Sequence, residues 1–309
     1  VRMLDLVIIP ISLALLYAGG EGALKGVLVI ARKFKLSNIL VSAVIIGFGT
    51  SLAELTVSIE AVIIGSPDLA LGNIIGSNIA NILLVTALAA LITPILIKDL
   101  KINKDIFVMG LATFLLLVFK IIDWLNIYTG ITFLIILLSY IFYSYYKDQK
   151  KNIDYEEDLK IFSISKALIY SIFGVAILIF GGWLLVNSSI KIAQSYGISE
   201  AVIGLTVIAI GTAIPELTTT IIASIKKHND VVIGNIIGRN IFNILGILGI
   251  TLLFDKIPVT DEMMQKGIWE MIAVTILFIL ILKFLKKINK IIASMMLILY
   301  ATYLVYLFY

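Results

Sequence analysis

Cysteine is absent from the chain, and histidine occurs once, at His228. Disulfides, thiolate metal sites and histidine-based zinc or copper centres are therefore excluded, and Ser/His/Asp catalysis has no base to use in that loop. Charge is scarce as well. Only 14% of residues are Asp, Glu, Lys or Arg against 61% hydrophobic, and mean hydropathy is +1.10. That leaves too few polar groups to clothe a soluble domain. With no nucleotide loop or zinc spacing either, a soluble enzyme is excluded, and the composition predicts an all-α integral membrane protein. No resident cofactor is expected.

What is present is a series of apolar runs near or above the ~20 residues that cross a bilayer. Ten are read, at roughly 4–30, 38–64, 69–96, 104–122, 125–146, 164–192, 199–226, 231–254, 267–285 and 289–308. The first lacks a basic leader and a cleavage site, so it is expected to be a mature helix. With ten crossings, seventeen lysines and arginines, from Arg32 to Lys290, fall in loops on one side; only Arg2, Lys120, Lys191, Lys256 and Lys266 fall on the other. The positive-inside rule then places both termini outside a cell membrane, with a prokaryotic plasma membrane expected. Lysines spread over five short loops are not a nucleic-acid footprint. The expected partners are membrane lipid and inorganic cations.

The runs are not independent. A shift of 162 residues lays 205–245 on 43–83, and ten of the twelve positions from Gly72 to Leu83 are identical to Gly234–Leu245. The chain divides accordingly into a five-helix repeat (1–146), a charged cytoplasmic linker (147–166) and a second repeat (167–309). Five spans separate corresponding points and five is odd, so the repeats enter the membrane from opposite sides. Inverted repeats are a transporter architecture, with the substrate site near the midplane where they meet.

Each copy carries one acid, Glu54 or Glu216, inside an apolar run. A buried membrane carboxylate costs at least ~2.5–3.5 kcal/mol, which makes both functional-site candidates. Around them Thr50, Ser51, Ser77, Asn81, Thr212 and Asn243 offer neutral oxygens, with Thr50/Glu54 and Ser77/Asn81 each sharing a helix face. Hard oxygens without histidine or cysteine suit Na⁺ or Ca²⁺. Gly47, Gly49, Gly211 and Pro215 are suitable helix breakers. Gly72/Gly76 and Gly234/Gly238 read as small-residue packing faces, and Asn73, Asn78, Asn235 and Asn240 in part as amides that hold helices together. Gly19-Gly20-Glu21-Gly22 reads as a break in the first helix, either for close helix contact or with Glu21 near a cation path. The last two runs read as plain spans, with Tyr300, Tyr303, Tyr306 and Tyr309 as packing or an interfacial belt.

Gly49–Glu54 (GTSLAE), Gly211–Glu216 (GTAIPE), GNIIGSNIAN (72–81) and GNIIGRNIFN (234–243) resemble the α-repeats of the cation/calcium exchanger superfamily. The resemblance covers essentially the whole chain. It implies an antiporter moving Ca²⁺ against Na⁺ or H⁺ by alternating access, with Thr50, Ser51, Glu54, Ser77, Asn81, Thr212, Glu216 and Asn243 at the ion sites and the first and sixth helices sliding over the other eight. Ala53 stands where the family's pattern has proline, Ala213 where it has serine, and Asn243 where sodium/calcium exchangers often carry an acid. Arg239 replaces the serine equivalent to Ser77. Its guanidinium either occupies a coupling-ion position as an internal cation or snorkels to a polar surface. The alternative function is a transport-incompetent or altered-specificity regulatory protein of the same fold, with Arg239 in an ion site.

Overall fold

The computed structural model describes residues 3–33, 51–97, 102–148, 163–285 and 287–309. The chain begins with α1 (Met3–Lys33), α2 (Leu52–Ile64), α3 (Pro67–Ile92), α4 (Asn103–Ile121) and α5 (Ile127–Asp148). It continues with α6 (Ile164–Tyr196), α7 (Glu200–Thr212), α8 (Ile214–Ile225), α9 (Asn229–Thr251), α10 (Asp261–Phe284) and α11 (Lys290–Leu307). Among the described residues six helices (α3, α5, α6, α9, α10 and α11) are long and apolar enough to cross a bilayer, and α7 and α8, bent by 52° between them, are so when taken together. The expected tenfold crossing also draws on 38–64, of which 38–50, with Gly47 and Gly49, lie outside the described residues.

Two helices make the centre. Most of α3 and α9 is buried, whereas α5, α6 and α11 turn most of their residues outward. Those outward faces carry Ile135, Phe142, Phe173, Ile298 and similar side chains, each more than half exposed. In water such a surface would drive aggregation; in lipid it is the solvated face.

Local chemistry explains the joints. Gly65 ends α2 with φ +88°, a left-handed conformation that costs glycine little, and Pro67 opens α3 where its missing N–H is harmless. Together they shape the turn between α2 and α3. Gly72 meets Gly204 across the α3/α7 crossing, where a Cβ on Gly72 would come within 2.9 Å of the Ala201 carbonyl and 3.0 Å of Gly204 Cα. Small residues let these backbones touch. The Gly19–Gly22 segment does not break α1, which stays helical throughout. Instead Gly19 and Gly26 let α1 lie against α6 along its length: a Cβ on Gly174 would come 2.3 Å from Ala23 N. Glu21 is exposed there, salt-bridged to Lys25 at 2.9 Å and accepting from Tyr17 Oη at 3.2 Å. Close contact, rather than a cation path, accounts for the glycines.

The 162-residue shift reappears in the elements. α2 and α8 begin at Leu52 and Ile214, and α3 and α9 at Pro67 and Asn229. Short β1 (Ile95–Leu96) and β2 (Lys287–Ile288) pair antiparallel with Ile95 opposite Ile288. At the shifted positions, Ile257 N donates to the Leu125 carbonyl at 3.1 Å.

Candidate cation site

Both acids sit at the same place near the start of a helix. Ser51 (φ −95°, ψ 14°) and its counterpart Ala213 (φ −81°, ψ 0°) leave helical geometry, and a helix starts on the next residue. That start therefore falls at the same position whether proline (215) or alanine (53) lies two residues on. Glu54 and Glu216 each become the third residue of a helix, where unpaired N–H groups and the helix dipole favour an anion. Ser51 is buried at the head of α2.

The facing elements are α3 and α9, and both change winding at equivalent residues. A π-helical turn begins at Asn81 in α3 (Asn81–Val85) and at Asn243 in α9 (Asn243–Leu248). Such single π turns recur at functional sites because they rotate side chains out of register. The contacts are crossed: the Asn81 turn packs on α8, which carries Glu216, and the Asn243 turn packs on α2, which carries Glu54.

Side-chain bonds knit the two repeats together. Asn73 Nδ2 donates to the Glu54 carbonyl at 3.1 Å and to Ser58 Oγ at 3.0 Å. Its Oδ1 accepts from Thr212 Oγ1 at 3.1 Å, and the single Thr212 proton is shared with the Ile208 carbonyl at 3.0 Å. Asn81 Nδ2 donates to Asn240 Oδ1 at 3.4 Å. The amides expected to hold helices together thus do so in Asn73 and Asn240, and they also position the candidate ligands.

The buried oxygens with no donor among the described residues include Glu54 Oε2, both carboxylate oxygens of Glu216, Ser77 Oγ and Asn81 Oδ1. Glu54 and Glu216 are 2% and 1% exposed. Buried acceptors are ordinarily hydrogen-bonded, so orphans gathered from both repeats mark a place for a cation. No group of three or more His, Cys, Asp or Glu gathers among the described residues; the donor set is two carboxylates plus hydroxyl and amide oxygens. Asn243 and Thr212 are buried as well. Thr50 lies outside the described residues.

Arg239 is buried, at 8% exposure. Its Nη2 donates to Thr219 Oγ1 at 3.0 Å, and Thr219 Oγ1 donates to the Glu216 carbonyl at 2.9 Å. Nη1 is buried without a hydrogen-bond partner among the described residues. Through Thr219 the guanidinium is linked to the backbone of Glu216, yet among the described residues it bonds to neither carboxylate. On the side of α1, a cavity of about 310 Å³ lined by Pro10, Leu13, Tyr17, Ala53, Gly211 and Thr212 reaches the break between α7 and α8.

A sequence profile described as sodium/calcium exchanger protein matches residues 4–146 and 166–309. A putative antiporter, CaxA, from Alkalimonas amylolytica is 34% identical over 251 residues, covering 79% of each chain. The sodium/calcium exchanger MaX1 of Methanosarcina acetivorans is 25% identical with 99% of each chain covered. Among solved structures, the sodium-calcium exchanger NCX_Mj soaked with Na⁺ and Sr²⁺ superposes with a TM-score of 0.63 at 30% identity, covering 98% of each chain.

Proposed function

The chain belongs to the sodium/calcium exchanger protein family and is a membrane cation antiporter of that type; on that premise we propose that it exchanges Ca²⁺ for Na⁺ or H⁺ at a single midplane site built by two inverted repeats. Glu54 and Glu216 are the charged ligands, and Ser51, Ser77, Asn81, Thr50, Thr212 and Asn243 supply neutral oxygens. The observation that carries this reading is the set of donorless buried oxygens contributed by both halves. Two carboxylates with neutral oxygens around them suit a hard divalent cation. The ions are cargo rather than resident cofactors.

Alternating access follows from how the helices are held. α1 and α6 pack chiefly on each other through glycine contacts, and α6 also rests on α2, where Gly182 meets Thr56. The cavity beside α1 ends at Thr212. Sliding of the α1/α6 pair would close that approach and open one from the opposite side. The donor set also favours exchange over a continuous pore, because its oxygens are fully buried.

Calcium-45 uptake into proteoliposomes tests the proposal, first under an outward Na⁺ gradient and then under a pH gradient. Uptake driven by one of the two identifies the coupling ion; no uptake under either rejects exchange. Asn73→Ala should raise the half-saturating Ca²⁺ concentration by roughly tenfold while the protein stays monodisperse. Losing that amide frees the Glu54 carbonyl and leaves the Thr212 hydroxyl on the Ile208 carbonyl alone, and unpairing a buried polar group costs ~1–3 kcal/mol. Unchanged saturation in Asn73→Ala would show that positioning by this amide is irrelevant.

A second reading is favoured by one observation, the buried guanidinium of Arg239 beside Glu216. It keeps the fold and the site but alters which ions are exchanged, or removes exchange altogether.

A further inference from the structure

Glu270 is an acid inside a membrane-spanning helix, outside both repeat motifs. It lies three residues inside the apolar run 267–285, about 4.5 Å along the helix axis. It is half-buried, and among the described residues it makes no hydrogen bond or salt bridge. Lys266, one turn toward the helix start, is already engaged with Glu262 at 3.4 Å and with the Leu307 carbonyl at 3.1 Å. An unpaired carboxylate inside a membrane span is a functional-site candidate by default.

Glu270 opens onto a cavity of about 340 Å³ between α10 and α11. The lining is graded. Glu270, Thr302, Tyr303 and Tyr306 gather toward the end of the bilayer where α11 finishes at Leu307, whereas Val274, Leu277 and Leu299 lie deeper. On α11 the lining descends from about 2 to about 12 Å below the helix end. Tyr303 is fixed by donating its hydroxyl to the Lys266 carbonyl at 3.1 Å, and Tyr306 remains 44% exposed. One carboxylate flanked by two phenol rings is a receptor for an ammonium group, through charge and cation–π attraction. A bare metal ion would need several oxygens and no apolar floor.

We infer that this cavity binds a membrane amphiphile with an ammonium head, the head on Glu270 between Tyr303 and Tyr306 and the tail along Val274, Leu277 and Leu299. Its back wall is Leu83, within the π-helical turn that Asn81 begins, so a seated lipid braces a turn that carries a candidate ion ligand.

The test is lipid retention, read independently of transport. The intact protein is released from nanodiscs of equimolar phosphatidylethanolamine and phosphatidylglycerol into a mass spectrometer. The wild type should retain the ammonium lipid over the anionic one by roughly tenfold, and Glu270→Gln should lose that preference. Glu54→Gln should keep it, which separates this site from the ion site. Equal retention of both lipids by the wild type, or a preference surviving in Glu270→Gln, overturns the assignment. Free ethanolamine at millimolar concentration should leave the lipid in place; displacement would mean that the tail contributes nothing and overturns the amphiphile as occupant.

Discussion

Glu54→Gln should reduce calcium uptake in proteoliposomes to background, and Glu216→Gln should do the same independently. Each glutamine keeps the shape and the helical position of the residue it replaces, third in a helix that begins after Ser51 or Ala213. Folding is therefore expected to survive, and the change falls on charge alone. Two unit charges 4 Å apart at an effective dielectric of about 20 interact by about 4 kcal/mol, and a divalent ion doubles that. Removing one carboxylate gives part of this back through lower desolvation cost. A remaining loss of about 2.7 kcal/mol is still a hundredfold in affinity. Both acids should matter about equally, since each sits at the same point of its repeat and each leaves carboxylate oxygen without a donor. Uptake measured against Ca²⁺ concentration decides it, and wild-type rates in both variants would refute the site.

The same symmetry explains why so much of the site could be read from residues alone. Two copies of one motif, each holding an acid that lipid penalises, single out Glu54 and Glu216 with no knowledge of folding. The break beside them was legible only in part. Proline marks it in one copy, but a helix begins directly after Ser51 just as one does after Ala213, so the helix start belongs to the pattern rather than to one residue type. Other features were hidden for definite reasons. A π turn adds one residue to a helical winding and leaves the composition unchanged, so those at Asn81 and Asn243 have no sequence signature. The crossing bond from Asn73 to Thr212 spans 139 residues. Identity between Asn73 and Asn235 marked the position, but packing was an equally good account of it. Glu270 has no sequence motif around it, because its surroundings come from α11, which the chain reaches only after another turn. Glycine misled in the opposite direction. At Gly19–Gly22 it signals a partner helix lying close, and the helix runs on unbroken.

Arg239→Ser should change what is exchanged as well as how fast. Ser77, the counterpart in the other repeat, is buried with a donorless hydroxyl, so serine restores a neutral oxygen where the chain now carries a fixed positive charge. With both glutamates ionised, that substitution takes the site from about −1 to −2. A dehydrated divalent ion gains from the change by the same Coulomb reasoning: even a quarter of ~4 kcal/mol between unit charges, doubled for Ca²⁺, exceeds a tenfold gain in affinity. The extra negative charge also has to be neutralised on the return step, so the variant should carry back one more monovalent cation per Ca²⁺ than the wild type. Reversal potentials measured in proteoliposomes at fixed Na⁺ and Ca²⁺ gradients would register that as an added charge per cycle. The hydrogen bond to Thr219 limits the alternative. If the guanidinium were held there only to reach a polar surface, removing it would cost some stability and leave ion dependence alone. Unchanged Na⁺ and Ca²⁺ fluxes in Arg239→Ser would therefore reject the internal cation, whereas a shifted reversal potential with tighter Ca²⁺ binding fits only a guanidinium that stands in for a transported ion.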